Sequence, residues 1–229
     1  MDLAGTVLSR LVGTYAPAAD PARAAPMRAY MRDQFPFLGI PTTARRTLSR
    51  TVLAGLPRPT EDDLRTVALG CWELPEREYQ YFACDWLRRH AKVLTPGFLP
   101  TARVLITTKS WWDTVDALAA HVVGPIVAGH PAAVSTMDEW AAGDHLWLAR
   151  TAVLHQLAYR ERTDPDRLFA YCRGLAGNRD FFARKAIGWA LREYSRTDPA
   201  AVRAFVQANA GTLSGLSIRE ATRNLPVRR

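Results

Sequence analysis

Cysteine is scarce: three residues in 229. Cys71, Cys84 and Cys172 are odd in number, far apart and set in helix-like segments, with no Cys-x-x-Cys and no His/Cys cluster. That pattern gives no ground to expect a disulfide framework or a zinc site. The five histidines (His90, His121, His130, His145 and His155) form no paired metal-ligand motif either, so no metal and no cofactor is expected. Long apolar runs are missing. None reaches the ~18 residues of a membrane span, and the N-terminus has no charged-then-apolar leader pattern. The chain therefore reads as cytoplasmic, with no membrane partner. Gly-rich phosphate loops, dinucleotide fingerprints and serine or cysteine nucleophile motifs are absent too. Any chemistry must rest on carboxylates, aromatics and water.

Lysine is rarer than arginine by a wide margin. Only Lys92, Lys109 and Lys185 contribute to the 30 basic residues, against 22 acids, giving a net charge of +8 and a pI near 9.9. Arginine suits bidentate phosphate contacts, so the balance favours a polyanionic partner. A compositional bias of the genome would give the same arginine excess without any ligand.

Prolines and turn residues cut the sequence into short pieces, nearly all with helical periodicity and none with convincing strand alternation. Thr60-Glu61, Thr163-Asp164-Pro165 and Thr197-Asp198-Pro199 read as helix starts, and Thr95-Pro96 and His130-Pro131 mark others. The pattern predicts roughly a dozen helices of about 10 to 18 residues. Arg150-x-Ala152-Val153 recurs as Arg184-x-Ala186-Ile187 and as Arg219-x-Ala221. A period of about 34 residues is that of a two-helix repeat, and points to an all-α solenoid with a groove on its concave side. The whole chain, 1–229, is expected to form one such domain.

The run Ser110-Trp111-Trp112-Asp113-Thr114-Val115-Asp116 puts two indoles and two carboxylates into seven positions of a basic protein. Read as helix, Trp111, Val115, Leu118 and Val122 form one buried stripe. Trp112 and Asp116, at i and i+4, stand together on a neighbouring face. Trp111 is therefore assigned to the core, Asp113 to a structural or capping role, and the Trp112/Asp116 pair to chemistry. In the helix over 181–196, Ala183, Ile187, Ala190 and Tyr194 make the apolar stripe, and Lys185, Trp189, Arg192 and Arg196 line the opposite side. Two explanations fit: cations that meet phosphates around a stacking indole, or a second layer of helices that buries Trp189 among snorkelling stems. Arg150 emerges from an apolar face among Leu146, Trp147, Val153 and Leu154. It needs an anion, either a structural carboxylate or a ligand phosphate.

Several segments together resemble the AlkD-type DNA alkylation repair glycosylases, which are built from HEAT-like helical repeats. They are Tyr30-Met31-Arg32, Phe37-Leu38-Gly39-Ile40, Trp72-Glu73-Leu74-Pro75-Glu76-Arg77-Glu78, Thr108-Lys109 joined to the run above, Trp147-Leu148-Ala149-Arg150, and Lys185-Ala186-Ile187-Gly188-Trp189-Ala190-Leu191-Arg192-Glu193-Tyr194. They cover about residues 27 to 225, in order. The resemblance implies a catalytic aspartate at Asp116, groove tryptophans at Trp112 and Trp189, a phosphate-contacting arginine at Arg150 and a groove aromatic at Tyr30. Pro41 stands where the family carries a polar residue, and so alters a DNA contact on this reading. The implied reaction is hydrolysis of the N-glycosidic bond of cationic N3- or N7-alkylated purines in duplex DNA, by a monomer. Methyl and bulkier adducts are both admitted. No lysine is placed as a Schiff-base nucleophile, with Lys109 the weak exception, so the activity implied is monofunctional. Two rival readings are a non-catalytic binder of damaged or distorted duplex and a helical scaffold for an acidic protein.

Overall fold

The computed structural model describes residues 2–225. Among these the chain is all-α, with fourteen α-helices and no strand. The helices run from 6 to 14 residues, shorter than the periodicity predicts, because prolines and caps end them early. Contacts divide the chain into two compact units, one ending at Lys109 and one beginning at Ser110.

The first unit comprises α1 (Leu3–Tyr15), α2 (Pro21–Tyr30), α3 (Thr42–Leu53), α4 (Glu61–Glu73), α5 (Arg77–Arg89) and α6 (Leu99–Thr107). Thr60 opens α4 through a capping box with Asp63, which satisfies two otherwise orphaned donors. Helix α1 packs on α3 and α4, and α4 on α5 and α6. The shared core holds Leu11, Tyr15, Leu64, Phe82, Leu87 and Leu105, all fully buried. Tyr15 stacks on Tyr79 and meets Phe82 edge-on.

The Phe37-Leu38-Gly39-Ile40 segment is fixed by one side chain. Fully buried Glu78 accepts from the backbone N–H groups of Leu38, Gly39 and Ile40 at 2.9, 2.8 and 3.0 Å. Its neighbour Arg77, also fully buried, donates its backbone N–H to Pro36 and its guanidinium to the Lys109 carbonyl, and lies 3.8 Å over the Phe35 ring. Gly39 has φ +88, and a Cβ there would sit 2.1 Å from the Asp20 carbonyl oxygen. Only glycine fits both demands. Removing the carboxylate with Glu78→Ala orphans two buried donors and one part-buried donor. Since each costs about 1–3 kcal/mol, urea melts should show a loss of ~3 kcal/mol or more.

The second unit comprises α7 (Trp112–Leu118), a π-helical turn (Ala119–Val123), α8 (Gly124–Gly129), α9 (Val134–Ala142), α10 (Leu146–Leu154), α11 (Pro165–Leu175), α12 (Phe181–Tyr194), α13 (Pro199–Ala208) and α14 (Gly215–Thr222). Asp164 caps α11 and Asp198 caps α13, each followed by proline at the first helical position. Helices α9/α10, α11/α12 and α13/α14 are successive hairpins whose second members, α10, α12 and α14, pack on one another in series. The sequence repeat is thereby explained. Ala152, Ala186 and Ala221 occupy the same buried position on those three second helices, at 1%, 0% and 0% exposure, where a larger side chain would hold the helices apart.

Gly188 serves the same closeness. A Cβ there would meet the Cβ of Glu220 at 2.4 Å and the Ser217 carbonyl at 3.0 Å, so α14 can lie against α12 only over glycine.

His155 follows α10 and is 1% exposed. Its Nδ1 lies 2.7 Å from the Ala152 carbonyl, which makes Nδ1 the protonated nitrogen. Burial holds the ring down to about 4, against the raising effect of that carbonyl. The unfolded chain therefore binds a proton that the folded chain refuses between about pH 6.5 and 4. Stability falls as pH drops through that window, by about 3 kcal/mol from this group. Urea melts of wild type and His155→Gln at pH 7 and pH 4 check it: the variant should lose less on acidification.

Candidate active site

Asp116 and Arg150 form a buried, two-pronged ion pair at the centre of the second unit. Arg150 Nε donates to Asp116 Oδ1 at 2.7 Å and one terminal nitrogen donates to Oδ2 at 2.8 Å. The side chains are 5% and 12% exposed for arginine and aspartate. The other terminal nitrogen donates to the backbone carbonyl of Phe182. One guanidinium thus ties α7, α10 and the first turn of α12 together. Its apolar surroundings on α10, read from the sequence as needing an anion, are answered by the Asp116 carboxylate; three of its five donors are spent.

Aromatic rings shield this pair. Trp111 meets Phe182 edge-on with centroids 4.9 Å apart, Trp147 lies 5.2 Å from Phe182, and Trp111 and Trp147 are 6.0 Å apart. Arg150 lies 5.9 Å from the Phe182 ring. The low exposure of the two side chains strengthens the ion pair. Burial pushes the Asp116 carboxyl above its ordinary 3.8, the hydrogen bonds and charge of Arg150 pull it down, and Asp113 adds to the rise. Both oxygens accept N–H donors, which is the behaviour of the ionised form.

The run from Ser110 to Asp116 departs from a single helix. Trp111 is the N-cap of α7 with extended backbone. It therefore leaves the stripe of Val115, Leu118 and Val122, each fully buried, and is half-buried in the aromatic cluster instead of the core. Asp113 lies in the first turn of α7, where its charge complements the helix dipole. Trp112 is half-buried, one turn before Asp116 on the same side of α7. Trp189 is half-buried on α12, two turns beyond Phe182 on the same face, about 10 Å along the axis. Helices α7 and α12 both pack on α10.

The basic face of α12 is less open than its sequence. Glu220 on α14 takes Lys185 Nζ at 2.9 Å and Arg192 at 2.6 Å, spanning the turn that carries Trp189. The partners lower the Glu220 carboxyl, through the Lys185 hydrogen bond first. The next helix of the same series thus answers two of the charges on this face. Arg196 lies past the end of α12 and pairs with Glu193 at 3.2 Å. Tyr194 of the predicted stripe is only half-buried.

In the first unit Tyr30 ends α2 with 71% of its surface exposed. Pro41 is the N-cap of α3 and offers no side-chain cap. Lys109, held at φ 47, donates Nζ to the Leu74 carbonyl at 2.7 Å. Burial lowers its ammonium, though the amine is occupied by that carbonyl. Phe182, Trp147 and Glu220 were not singled out as site residues by sequence reasoning. Trp147 was visible as a neighbour of Arg150, and Phe181-Phe182 directly after the capping Asp180 was a readable signal; Glu220 had none. Among the described residues no group of three His, Cys, Asp or Glu is placed to hold a metal.

Comparison with known proteins bears on the family of the chain rather than on this geometry. A model of the DNA alkylation repair enzyme family matches residues 14–225. A solved structure, described as a predicted DNA alkylation repair enzyme from Enterococcus faecalis, is 31% identical with a TM-score of 0.83, over 92% of this chain and 98% of that one. No curated protein matches. With the matched residues spanning nearly its whole length, the chain belongs to the DNA alkylation repair enzyme family.

Proposed function

We propose that this protein is a monofunctional DNA glycosylase that hydrolyses the N-glycosidic bond of cationic N3- or N7-alkylated purines in duplex DNA, the first step of base excision repair. The observation that carries the reading is the Asp116 carboxylate, clamped by Arg150 in an aromatic, water-poor setting. An alkylated purine is a cation. When the bond from its nitrogen to C1′ breaks, both electrons stay on the nitrogen and the base departs neutral, so no strong general acid is needed. Positive charge develops on the deoxyribose, water adds to C1′, and the water's proton is lost. A fixed carboxylate stabilises that charge and orients the water. The indole faces of Trp112 and Trp189 attract the cationic nucleoside.

On this reading Tyr30 and Arg196 contact DNA from exposed positions. Lys185 and Arg192 reach phosphate while sharing Glu220, and Arg150 uses its remaining donors on a backbone phosphate while it holds Asp116. On this reading Lys109 is not the nucleophile; its Nζ donates to the Leu74 carbonyl, which orients it within the first unit. A HEAT-like solenoid acting as a monomer would present these groups to the duplex. No helix among the described residues is long and apolar enough to cross a membrane.

Duplexes carrying methyl, ethyl and bulkier N3 and N7 adducts, incubated with the protein and assayed for free base, test the reading and define its range. Release of free base without strand scission, and no cross-link on borohydride trapping, is the expected outcome. A borohydride-trapped adduct lost in Lys109→Met would overturn the monofunctional assignment. Binding of all duplexes without any release would favour the non-catalytic alternative.

A further inference from the structure

The first unit carries a second basic site that includes none of the site residues named above. A cleft of about 260 Å³ opens between α3 and α5, lined by Arg46, Ser49, Arg50 and Leu53 from the one, and Phe82, Asp85, Trp86 and Arg89 from the other. Its floor is apolar: Phe82 and Trp86 are 1% and 4% exposed. Its rim is cationic. Arg46, Arg50 and Arg89 are exposed, and among the described residues none of them has a carboxylate in ion-pair contact. The acid in the cleft, Asp85, is already neutralised at 2.8 Å by Arg45, whose side chain is 8% exposed. Arg45 is held above the Tyr81 ring, 5.2 Å from its centroid.

Three exposed guanidinium groups with no carboxylate partner among the described residues rim this apolar floor, and their summed positive potential attracts an anion. Arg46 and Arg50 are i and i+4 on α3, so their stems stand about 6 Å apart and their heads can grip neighbouring phosphates of one strand. Guanidinium forks match phosphate oxygens bidentately. The floor offers what a sugar edge needs, an apolar surface made by Leu53, Phe82 and Trp86. An acidic peptide would supply carboxylates but leave its backbone amides facing Leu53, Phe82 and Trp86.

We infer that the α3/α5 cleft is a backbone-binding site for duplex DNA, in which Arg46, Arg50 and Arg89 hold consecutive phosphates and the sugar lies over Phe82 and Trp86. It supplies affinity without reading sequence or damage, since every contact goes to sugar or phosphate. Its ligand rests on the DNA-acting assignment above; its test does not use base release, so the two can fail separately.

Fluorescence anisotropy with an undamaged labelled duplex, between 50 and 200 mM salt, decides it. Arg46→Ala/Arg50→Ala should bind at least about 10-fold more weakly at the low-salt end and lower the slope of log K against log salt by about 2. Arg89→Glu should weaken binding at least as much as one of those arginines. Arg103→Ala removes one exposed charge from α6 of the same unit and should leave both quantities near wild type. All four arginines are exposed, and thermal melts within a few degrees of wild type confirm folding. The assignment is overturned if the double variant stays within twofold of wild type. An equal loss per charge in Arg103→Ala would also overturn it, as would displacement of the duplex by poly-glutamate at the charge concentration at which unlabelled duplex displaces it.

Discussion

Asp116→Asn is expected to reduce release of an alkylated purine by about 10²–10³-fold, the loss typical of removing one preorganised charge-stabilising group. The reason is specific to the site. The aspartate is 12% exposed and both oxygens are occupied by Arg150, so its charge is fixed in place before substrate arrives and needs no reorganisation. Asparagine keeps the shape and one acceptor oxygen but carries no charge to place against a developing sugar cation. Affinity for undamaged duplex should change little by comparison. A loss in binding as large as the loss in release would assign Asp116 to the interface instead. Single-turnover release beside anisotropy on the same preparation separates the two.

The second large effect falls on stability. Arg150→Ala leaves a buried carboxylate without its partner, which costs about 3–5 kcal/mol, and cuts the link from α10 to the Phe182 carbonyl. With the downward pull of Arg150 removed, burial pushes the Asp116 carboxyl still further above 3.8. Folding then favours the protonated acid, and the variant gains stability relative to wild type as pH falls through that raised value. The destabilisation should accordingly be greatest at neutral pH and shrink on acidification. Urea melts from pH 7 to pH 5 check the sign. Arg150→Lys restores charge but not the fork, so it should recover only part of the stability. For the same reason, any base release that survives in Arg150→Ala should fail at higher pH than in wild type, because Asp116 protonates earlier.

Much of this was legible in the sequence, and the parts that were not have a common cause. Helix existence, the caps at Thr60, Asp164 and Asp198, and the two-helix period rest on interactions within a few residues, which local patterns encode. The pairing of Trp112 with Asp116 on one side of α7 is likewise local. The role of Arg150 was half-legible: an arginine on an apolar face announces a missing anion, yet nothing local says that the anion lies 34 residues earlier. Trp111 misled because a helical wheel assumes a helix, and the backbone turns extended at that residue. The basic stripe on α12 misled in a different way. Periodicity displays every charge on a face, whereas Glu220 answers two of them from the next hairpin. Glu78 reads as an ordinary helix-start acid in Pro-Glu-Arg-Glu, and its three backbone donors come from about 40 residues away.

The family motifs also divide by purpose once the contacts are known. Phe-Leu-Gly-Ile and Trp-Glu-Leu-Pro-Glu-Arg-Glu meet through Glu78 and Arg77 and serve the fold of the first unit. In Lys-Ala-Ile-Gly-Trp, glycine makes room for α14 and lysine meets Glu220. The proposed reaction draws instead on its tryptophan, Trp189, together with Trp112, Asp116 and Arg150.

The central claim is that a carboxylate held by arginine cleaves the bond to a cationic purine. The most direct measurement is the first-order rate of free 7-methylguanine release from duplex DNA under enzyme excess, for wild type and Asp116→Asn together. The account predicts release by wild type well above the spontaneous rate, and by the variant close to it, with both proteins folded and the duplex bound. Release at the spontaneous rate by wild type, or equal release by the two proteins, would contradict it.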